Sequence, residues 1–487
     1  MLSNKYRLSD EVKSAIIYLI SMVLSKGLTI ITTPIFTRIM PSSDIGIVSI
    51  YNSWYSILSG IVTLGLTSGG LMVCLNEYRD KKNEYLSSIL TLSSLSALLF
   101  GLSYVLFPNT YRNFLGLPDT IITLMFVRFL FCPAYDFWIS RQRYEYRYKL
   151  SGIVMICSSI LASVLSVVAV FHTKNAQFFG YAESRIWGSS VVTIGVAIVI
   201  WINILVKGKK TFNRVYWKTS LKLSLPLIGQ MLASQLLSFS DRIMIEKYCG
   251  TSEVGIYSTV YTIGTLTTML WTAVNGTFTP YIYKNIENNR ENIKRNSFVL
   301  LSIFSFISLF VVLLGPEITR IFGTEEYYEG IYIIPPVAAG VYLISVCDIY
   351  SDLLIYSQKT KYIMIGTVFG AITNMILNAL LIPLFGYIAA AYTTLFAYVA
   401  MTLVIILFAK ISLKKTDVII DDILAHKKVF FLSTLTIVLD LTCVLSYTNN
   451  WLRYFLILSI IVGAIFVLKK HNVVFEIKRL LFQRSAQ

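Results

Sequence analysis

The amino-acid sequence predicts an all-α polytopic membrane protein with about 14 transmembrane helices. The expected architecture is two six-helix lobes, related by a pseudo-twofold axis along the membrane normal, plus two C-terminal helices. Three observations predict it: an apolar composition, a recurrence of membrane-length apolar segments, and an internal repeat. Hydrophobic residues make up 55% of the 487 residues and charged residues 14%, whereas soluble domains carry about 25% charged residues. The mean hydropathy is +0.67.

Apolar segments long enough to cross about 30 Å of hydrocarbon, roughly 20 residues each, recur along the whole chain. They lie at 13–37, 45–73, 86–107, 119–139, 151–171, 178–206, 221–245, 255–283, 297–322, 331–357, 361–384, 387–409, 428–447 and 451–468. The first is too long for a signal peptide and lacks a small-residue cleavage site, so we expect it to span the membrane. The segments leave no room for a folded soluble domain.

The basic residues predict the orientation, because Lys and Arg concentrate at the cytoplasmic ends of spans. With a cytoplasmic N terminus, 32 of the 42 basic residues fall on the cytoplasmic face, six fall outside and four lie within segments. Both termini are therefore predicted to be cytoplasmic. The net charge of +16 follows from this topology and from attraction to anionic lipid headgroups. Nucleic acid is not an expected partner.

The motifs of soluble enzymes are not found in the sequence. The three His residues lack metal-ligand spacing, the six Cys residues form no CxxC pair, and there is no P-loop or GxGxxG. These patterns are needed for zinc, nucleotide or dinucleotide chemistry. We therefore predict no metal site, no cofactor and no enzymatic activity.

An internal repeat divides the chain. The stretch TRIMPSSDIGIVSIY (37–51) aligns with EKYCGTSEVGIYSTV (246–260) at an offset of 209, which superposes Gly46 on Gly255. A second match, at an offset of 212, places Asp136 over Asp348. Such an offset covers six spans, an even number, so the two halves share one orientation. The predicted division is 1–210 for the N-terminal lobe, 211–412 for the C-terminal lobe, and 413–487 for two added helices and a cytoplasmic tail.

The repeat also carries a resemblance. SKGLTIITTPIFTRIMPSSDIG in the first segment and DRIMIEKYCGTSEVGIYS in the seventh resemble the polysaccharide flippases of O-antigen and capsule gene clusters, in the multidrug/oligosaccharidyl-lipid/polysaccharide exporter superfamily. The resemblance covers nearly the whole chain. It implies a multi-pass protein of the bacterial cytoplasmic (inner) membrane. It also implies alternating access that moves an undecaprenyl-diphosphate-linked oligosaccharide to the outer leaflet. The implied partners are this cargo, membrane lipids, and the polysaccharide polymerase and glycosyltransferases of the same synthesis.

Polar side chains at helical spacing form one face on the first, second, seventh and eighth segments. The candidate substrate-binding residues on these faces are Lys26, Thr29, Thr33, Asn52, Tyr55, Gln235, Ser238, Arg242, Tyr257 and Tyr261. We expect Lys26 and Arg242 to line a water-filled cavity and to attract the diphosphate or an acidic sugar, because Arg binds phosphate oxygens bidentately. Hydroxyl groups and Tyr rings suit the OH groups and apolar C–H faces of sugars.

Each of these residues has a structural alternative. Arg242 lies near the outer end of its segment, where it can snorkel to the interface and pair with Asp241; Lys26, nearer the middle of its segment, snorkels less easily. Ser and Thr also serve as small polar contacts between transmembrane helices.

Carboxylates within the segments are candidates for coupling transport to a proton or sodium gradient. The candidates are Asp136, Asp348 and Asp352, of which the last two share a helix face at i and i+4. The alternative for all three is pairing with Arg or Lys near the cytoplasmic mouth.

Three other functions compete with repeat-unit flipping. A peptidoglycan-precursor flippase has similar architecture. A drug or cation antiporter of the same superfamily has the same lobes, but a less cationic cavity than Lys26 and Arg242 imply. A membrane glycosyltransferase or polymerase needs a large outer loop, and the longest here has only about 15 residues.

Overall fold

The computed structural model describes residues 10–67, 70–173, 179–414 and 420–470. The chain termini lie outside these ranges, so the prediction that both are cytoplasmic concerns residues that the structure does not describe. Within them the regular structure is helical, with no β-strand. The N-terminal helices are α1 Asp10–Ile39, α2 Ser42–Val62, α3 Gly70–Glu77, α4 Lys82–Leu106, α5 Pro108–Leu115, α6 Asp119–Tyr144, α7 Tyr148–Thr173, α8 Tyr181–Gly208 and α9 Arg214–Tyr248.

The remaining helices follow in the same pattern. They are α10 Thr251–Gly264, α11 Leu266–Asn285, α12 Arg290–Leu313, α13 Gly315–Phe322, α14 Ile334–Tyr356, α15 Lys361–Phe385, α16 Ala389–Lys414, α17 Ile420–Ile423, α18 His426–Thr442 and α19 Asn450–Lys470. The 3₁₀ segments Arg79–Lys81, Glu325–Ile333 and Cys443–Thr448 connect some of them. All fourteen predicted apolar segments coincide with one or two of these helices.

Local sequence signals explain several helix ends. Asn213 caps α9, since its side-chain oxygen accepts from the backbone N–H groups of Val215 at 2.9 Å and Tyr216 at 3.3 Å; these donors have no partner within the helix. Gly116 ends α5 in the left-handed region at φ 65°, where the absence of a Cβ removes the steric penalty.

The all-α polytopic fold is confirmed, while the count of fourteen spans is not. Eleven helices of the described chain are long and apolar enough to cross a membrane. Three of the predicted segments are broken, among them the ninth, which is interrupted at Leu314 between α12 and α13. In the second, α2 and α3 are separated by a turn in which Leu64 and Gly65 take φ values of 55° and 60°, a conformation that ends an α-helix. The eighth is interrupted at Thr265, between α10 and α11.

The chain forms two compact units, the first ending at Gly255 and the second beginning at Ile256. Helix α9 thus belongs with the N-terminal helices, and it packs against α2, α3 and α4. The predicted lobe boundaries after residues 210 and 412 describe a sequence repeat rather than packing, and they stay a prediction.

Within the first unit, α2 meets the first turns of α10 through two glycines. A Cβ on Gly46 would overlap the carbonyl oxygen of Thr251 and lie 2.8 Å from its carbon, and a Cβ on Gly255 would meet the carbonyl of Ser42 in the same way, again 2.8 Å from its carbon. Ser42 and Thr251 differ by the repeat offset of 209, as do the glycines. The contact is therefore reciprocal, as a local twofold relation requires.

In the second unit, α14 forms the centre and is almost completely buried, with α12, α16 and α18 packed around it. Helices α15 and α16 are joined by a chain of buried hydrogen bonds. Asn374 Nδ2 donates to Thr394 Oγ1 at 3.1 Å, Asn378 Nδ2 donates to Asn374 Oδ1 at 3.1 Å, and Thr393 donates to Asn378. These hydrogen bonds satisfy polar groups for which lipid offers no hydrogen-bond partner.

Candidate functional site

An arginine in the first unit lies against two tyrosine rings. Arg128 belongs to α6, and Tyr51 and Tyr55 lie one turn apart on α2. The guanidinium carbon is 4.1 Å from the ring centre of Tyr55 and 5.8 Å from that of Tyr51, distances at which an aromatic face attracts a cation. Nη1 of Arg128 also donates to Tyr51 Oη at 3.0 Å. We call these three residues the arginine cluster.

Arg128 forms no ion pair with a carboxylate that the structure describes, although its charge interacts with Asp136 two turns further along α6. The Tyr51 hydroxyl accepts from Nη1, and Nε of Arg128 is buried with no hydrogen-bond partner among the described residues. The side chain as a whole is only half-buried. A cation at membrane depth normally pairs with an acid or a carbonyl because desolvation is expensive. The cluster is thus chemically suited to an incoming anion.

The same face of α6 carries further polar groups. Cys132 and Asp136 follow Arg128 at i+4 and i+8, positions that share one side of a helix. Pro133 lies inside the helix and leaves the carbonyl of Phe129 without an intrahelical donor. Asp136 is exposed, and because a carboxylate in contact with lipid is costly, we expect this face to border water. Its role in ion coupling stays a prediction.

Arg242 is placed differently from Arg128. Its Nη1 donates to Asp241 Oδ1 at 2.6 Å, in an ion pair whose side chains are 8% and 1% exposed, and also to the backbone carbonyl of Ser238 at 2.6 Å. The Asp241 carboxylate additionally accepts from the backbone N–H of Arg242 at 2.9 Å. The pairing that the sequence offered as an alternative is therefore present. The predicted contact of Arg242 with substrate stays a prediction.

The predicted residues of α1 lie on its accessible side. Lys26 and Thr29 are exposed, and Thr33 is half-buried. Thr33 Oγ1 donates to the carbonyl of Thr29 at 2.7 Å, so its hydroxyl is held by its own helix. Lys26 has no hydrogen-bond or ion-pair partner among the residues described. Its accessibility is what a cavity role requires, and the role itself stays a prediction.

The other predicted residues are divided between the two units. Asn52 is exposed on α2, and Gln235 and Ser238 are half-buried on α9, all in the first unit. Tyr257 and Tyr261 belong to the second unit, where Tyr257 is fully buried and the two ring centres are 5.5 Å apart. Among the predicted substrate-binding residues, only Tyr55 lies in the arginine cluster.

The remaining coupling candidates lie in the second unit and contact neutral donors. Trp271 Nε1 donates to Asp348 Oδ2 at 2.7 Å, and Thr279 Oγ1 donates to Asp352 Oδ2 at 2.9 Å. Neither carboxylate forms an ion pair with a described Lys or Arg. Within the ranges described, no group of three or more His, Cys, Asp or Glu side chains is placed to hold a metal ion.

Residues 12–286 match the sequence profile described as "Polysaccharide biosynthesis protein", which is more than half of the 487 residues. The chain belongs to the polysaccharide biosynthesis protein family. Residues 226–380 also match the profile named MatE. The flippase family that the sequence resembles is thereby confirmed.

Two relatives of this polysaccharide biosynthesis protein come from Haloferax volcanii. The probable flippase AglR is 25% identical over 349 residues, which cover 67% of this chain and 68% of AglR. The probable low-salt glycan biosynthesis flippase Agl15 is 24% identical over 409 residues, covering 81% of this chain and 82% of the relative.

Solved structures share the fold of this polysaccharide biosynthesis protein. The lipid II flippase MurJ, in an inward closed conformation, matches with a TM-score of 0.68 at 17% identity, over 96% of this chain and 99% of that chain. An inward-facing MATE family multidrug transporter matches with a TM-score of 0.59 at 14% identity, over 81% and 96% of the two chains. These likenesses concern the fold alone.

The arginine cluster is the part of the site that sequence reasoning missed in this polysaccharide biosynthesis protein. Arg128 is recognisable in the sequence as a charge within a span. One further signal points to it: Tyr51 and Tyr55 lie at i and i+4 on one side of α2, while Arg128 and Asp136 share one side of α6. Two such faces become a site only where the helices meet, which the sequence does not specify.

Proposed function

We propose that this protein is a flippase that moves a lipid-linked oligosaccharide across the membrane by alternating access. Family membership and the glycan-flippase names of its relatives support the transport class. The observation that carries the proposal is the arginine cluster, a half-buried cation at membrane depth that forms no ion pair with a described carboxylate. The proposed cargo is an undecaprenyl-diphosphate-linked repeat unit for O antigen or capsule.

The chemistry of the cluster suits both ends of this cargo. A guanidinium donates two parallel hydrogen bonds to phosphate oxygens, which fixes the orientation of the diphosphate. The Tyr51 hydroxyl and the Tyr55 ring provide a polar contact and an apolar surface for the first sugars. Because water is partly excluded at Arg128, this attraction exceeds that of an exposed arginine.

The cell setting belongs to the same proposal. The protein resides in the bacterial cytoplasmic membrane with both termini in the cytoplasm, takes cargo finished by glycosyltransferases and delivers it to the polysaccharide polymerase. It catalyses no bond-making step. A proton or sodium gradient drives the cycle through Asp136, Asp348 or Asp352, since a carboxylate that changes protonation or binds sodium changes its cost of burial.

The alternatives make different demands on the same site. A drug or cation antiporter has to attract a cation, which Arg128 repels. A peptidoglycan-precursor flippase also needs an anion site, because its cargo carries the same diphosphate. The higher TM-score of MurJ reports similarity of fold and does not favour either cargo. The repeat unit is preferred because the chain matches the polysaccharide biosynthesis family.

Leaflet-resolved quantification of undecaprenyl-diphosphate-linked oligosaccharide in depleted cells tests the proposal. We expect accumulation on the inner leaflet, which wild-type protein relieves. Arg128→Gln should reduce rescue at least tenfold, because truncating one partner of a desolvated charge pair costs about 2–5 kcal/mol. Arg128→Lys should retain part of the activity, since it keeps the charge and loses the bidentate geometry.

Arg112→Gln is the matched control, because Arg112 is an exposed arginine on the short helix α5. It should rescue like wild type, and the membrane-inserted amount of every variant should be equal. Normal delivery of completed units in depleted cells would refute the flippase proposal. Full rescue by Arg128→Gln would instead refute the site and leave the transport class standing.

Variants of Lys26 test whether this predicted second cation contributes to transport independently of the arginine cluster. If Lys26 contributes attraction, Lys26→Ala should transport less than wild type and Lys26→Glu less again. Equal transport by both variants and wild type would remove Lys26 from the electrostatic site.

A further inference from the structure

A second basic site lies at one end of the first unit, beyond Arg128 at the end of the same helix α6. It is a cavity of about 440 Å³ between the first turn of α4, the end of α6 and the end of α8, within the roughly 300–1,000 Å³ range of small-ligand pockets. Its lining, which we call the basic pocket, consists of Arg79, Asp80, Lys81, Lys82, Asn83, Glu84, Arg141, Glu145, Lys207, Gly208 and Lys209.

The basic pocket has a net positive charge even after its internal pairing. Six cationic and three acidic side chains line it, a formal net charge of +3. Glu145 is already held by Arg141 at 3.0 Å and by Lys82 at 3.4 Å. Lys207 and Lys209 are exposed and form no ion pair with a described residue. Two cations at the C-terminal end of α8, Lys207 and the capping residue Lys209, therefore remain for an external anion.

The backbone holds α8 in the position that creates the pocket. Gly208 is buried, and a Cβ there would overlap the backbone oxygen of Asn83 and lie 2.9 Å from Ser87 Oγ. The end of α8 can approach α4 this closely only without a side chain. Lys209 follows in the left-handed region at φ 55°, where glycine is the usual residue at a helix C terminus. A lysine in this conformation has a steric penalty that glycine avoids.

An apolar strip begins where the pocket ends. Val199, Ile202 and Val206 share one face of α8 and are each at least half exposed, and Lys207 follows Val206 directly. The exposed aromatic ring of Phe212 lies just beyond. A cationic cavity continuous with an apolar helix face matches a molecule with a charged head and hydrocarbon chains. A free phosphate ester has no hydrocarbon chain that would pack against this apolar strip.

We propose that the basic pocket binds the phosphate headgroup of an anionic phospholipid, with its acyl chains along the Val199–Val206 face of α8. The site lies on the membrane side where the basic residues are predicted to be cytoplasmic. The lipid is a bound partner rather than cargo, and its headgroup phosphate lies between Lys207, Lys209 and the first turn of α4.

Native mass spectrometry of the purified full chain in non-ionic detergent tests this proposal, with phosphatidylglycerol and phosphatidylcholine as probes. Phosphatidylglycerol should bind more tightly than phosphatidylcholine. The double variant Lys207→Gln/Lys209→Gln should lose about 25-fold in affinity for phosphatidylglycerol, taking roughly fivefold for each basic residue near an anionic group. The matched control Lys218→Gln/Lys222→Gln removes two exposed lysines that do not line the pocket and should change affinity less than twofold.

A further variant separates binding from folding. Lys209→Gly removes the charge and also relieves the left-handed conformation, so it should raise the melting temperature of the lipid-free protein while weakening phosphatidylglycerol binding. Equal binding of both lipids, or equal losses in the two double variants, would overturn the proposal. Displacement of phosphatidylglycerol by millimolar inorganic phosphate would overturn the lipid assignment and indicate a free phosphate ester instead.

Discussion

Substituting Gly46 by alanine tests the close crossing of α2 and α10. The new Cβ would lie 2.8 Å from the carbonyl carbon of Thr251 and 3.2 Å from the backbone nitrogen of Gly255. Carbon atoms in favourable contact are about 3.5–4.0 Å apart, so the two helices have to separate by roughly 1 Å. The opposing atoms are backbone, and no side-chain rotation relieves the overlap.

The expected free-energy change follows from two opposing contributions. Overpacking of a tight contact costs typically about 1–3 kcal/mol, and the upper end applies because both sides are backbone. Replacing glycine by alanine inside a helix stabilises it by about 1 kcal/mol. The net expectation for Gly46→Ala is a destabilisation of about 2 kcal/mol.

Gly195→Ala is the matched control, since Gly195 lies inside α8 and a Cβ there meets no atom within 4 Å. It should stabilise the protein by up to about 1 kcal/mol. Equilibrium unfolding in mixed micelles, monitored by tryptophan fluorescence, measures whether each variant is less or more stable than the wild type. The double variant Gly46→Ala/Gly255→Ala should cost less than the sum of its single changes, because the first already separates the helices. Stabilisation by Gly46→Ala equal to that by Gly195→Ala would refute the steric argument.

Three further predictions concern polar groups. Asp241→Asn should destabilise the protein by about 3–5 kcal/mol, because it breaks the buried ion pair between Asp241 and Arg242; unfolding in detergent measures this, and an unchanged midpoint would contradict a structural pair. Burial alone raises the pKa of Glu145, but the neighbouring basic groups outweigh it and lower the pKa below its usual 4.5. Its contribution to stability is therefore complete above about pH 4.5 and lost as the pH falls below that value; Glu145→Gln should weaken this pH dependence in thermal-melt profiles. Asn378→Leu should cost about 1–2 kcal/mol, because it removes the buried hydrogen bonds of Asn378 with Asn374 and Thr393, whereas Thr393→Val should cost less in the same unfolding assay, because it removes only one of them.

Apolar length was sufficient to predict the helices, whereas the contact between the repeat-related glycines was not predicted. Each apolar segment corresponds to helix because a span has to satisfy its own backbone hydrogen bonds. The offset of 209 paired Gly46 with Gly255, and these residues meet in the structure. The break at Leu64 was missed, because a leucine with positive φ has no sequence signature of its own.

The chemistry of the charged side chains was less predictable. Arg128 and Arg242 look alike in sequence, each a cation in an apolar segment, yet Arg242 is neutralised by its neighbour Asp241 while Arg128 lies against the rings of Tyr51 and Tyr55. Side-chain rotamers and helix rotation decide between these outcomes. Helical periodicity reports which residues share a face, but not which partner that face meets.

The reciprocal glycine contact has a consequence for the two halves of the chain. A surface on which Ser42 meets Gly255 while Thr251 meets Gly46 is self-complementary, because each side presents the same turn. A single half carrying this turn would have the means to associate with a second copy of itself. In the joined chain both copies of the turn lie on one polypeptide, so a side chain added at either glycine has to be accommodated by the other copy.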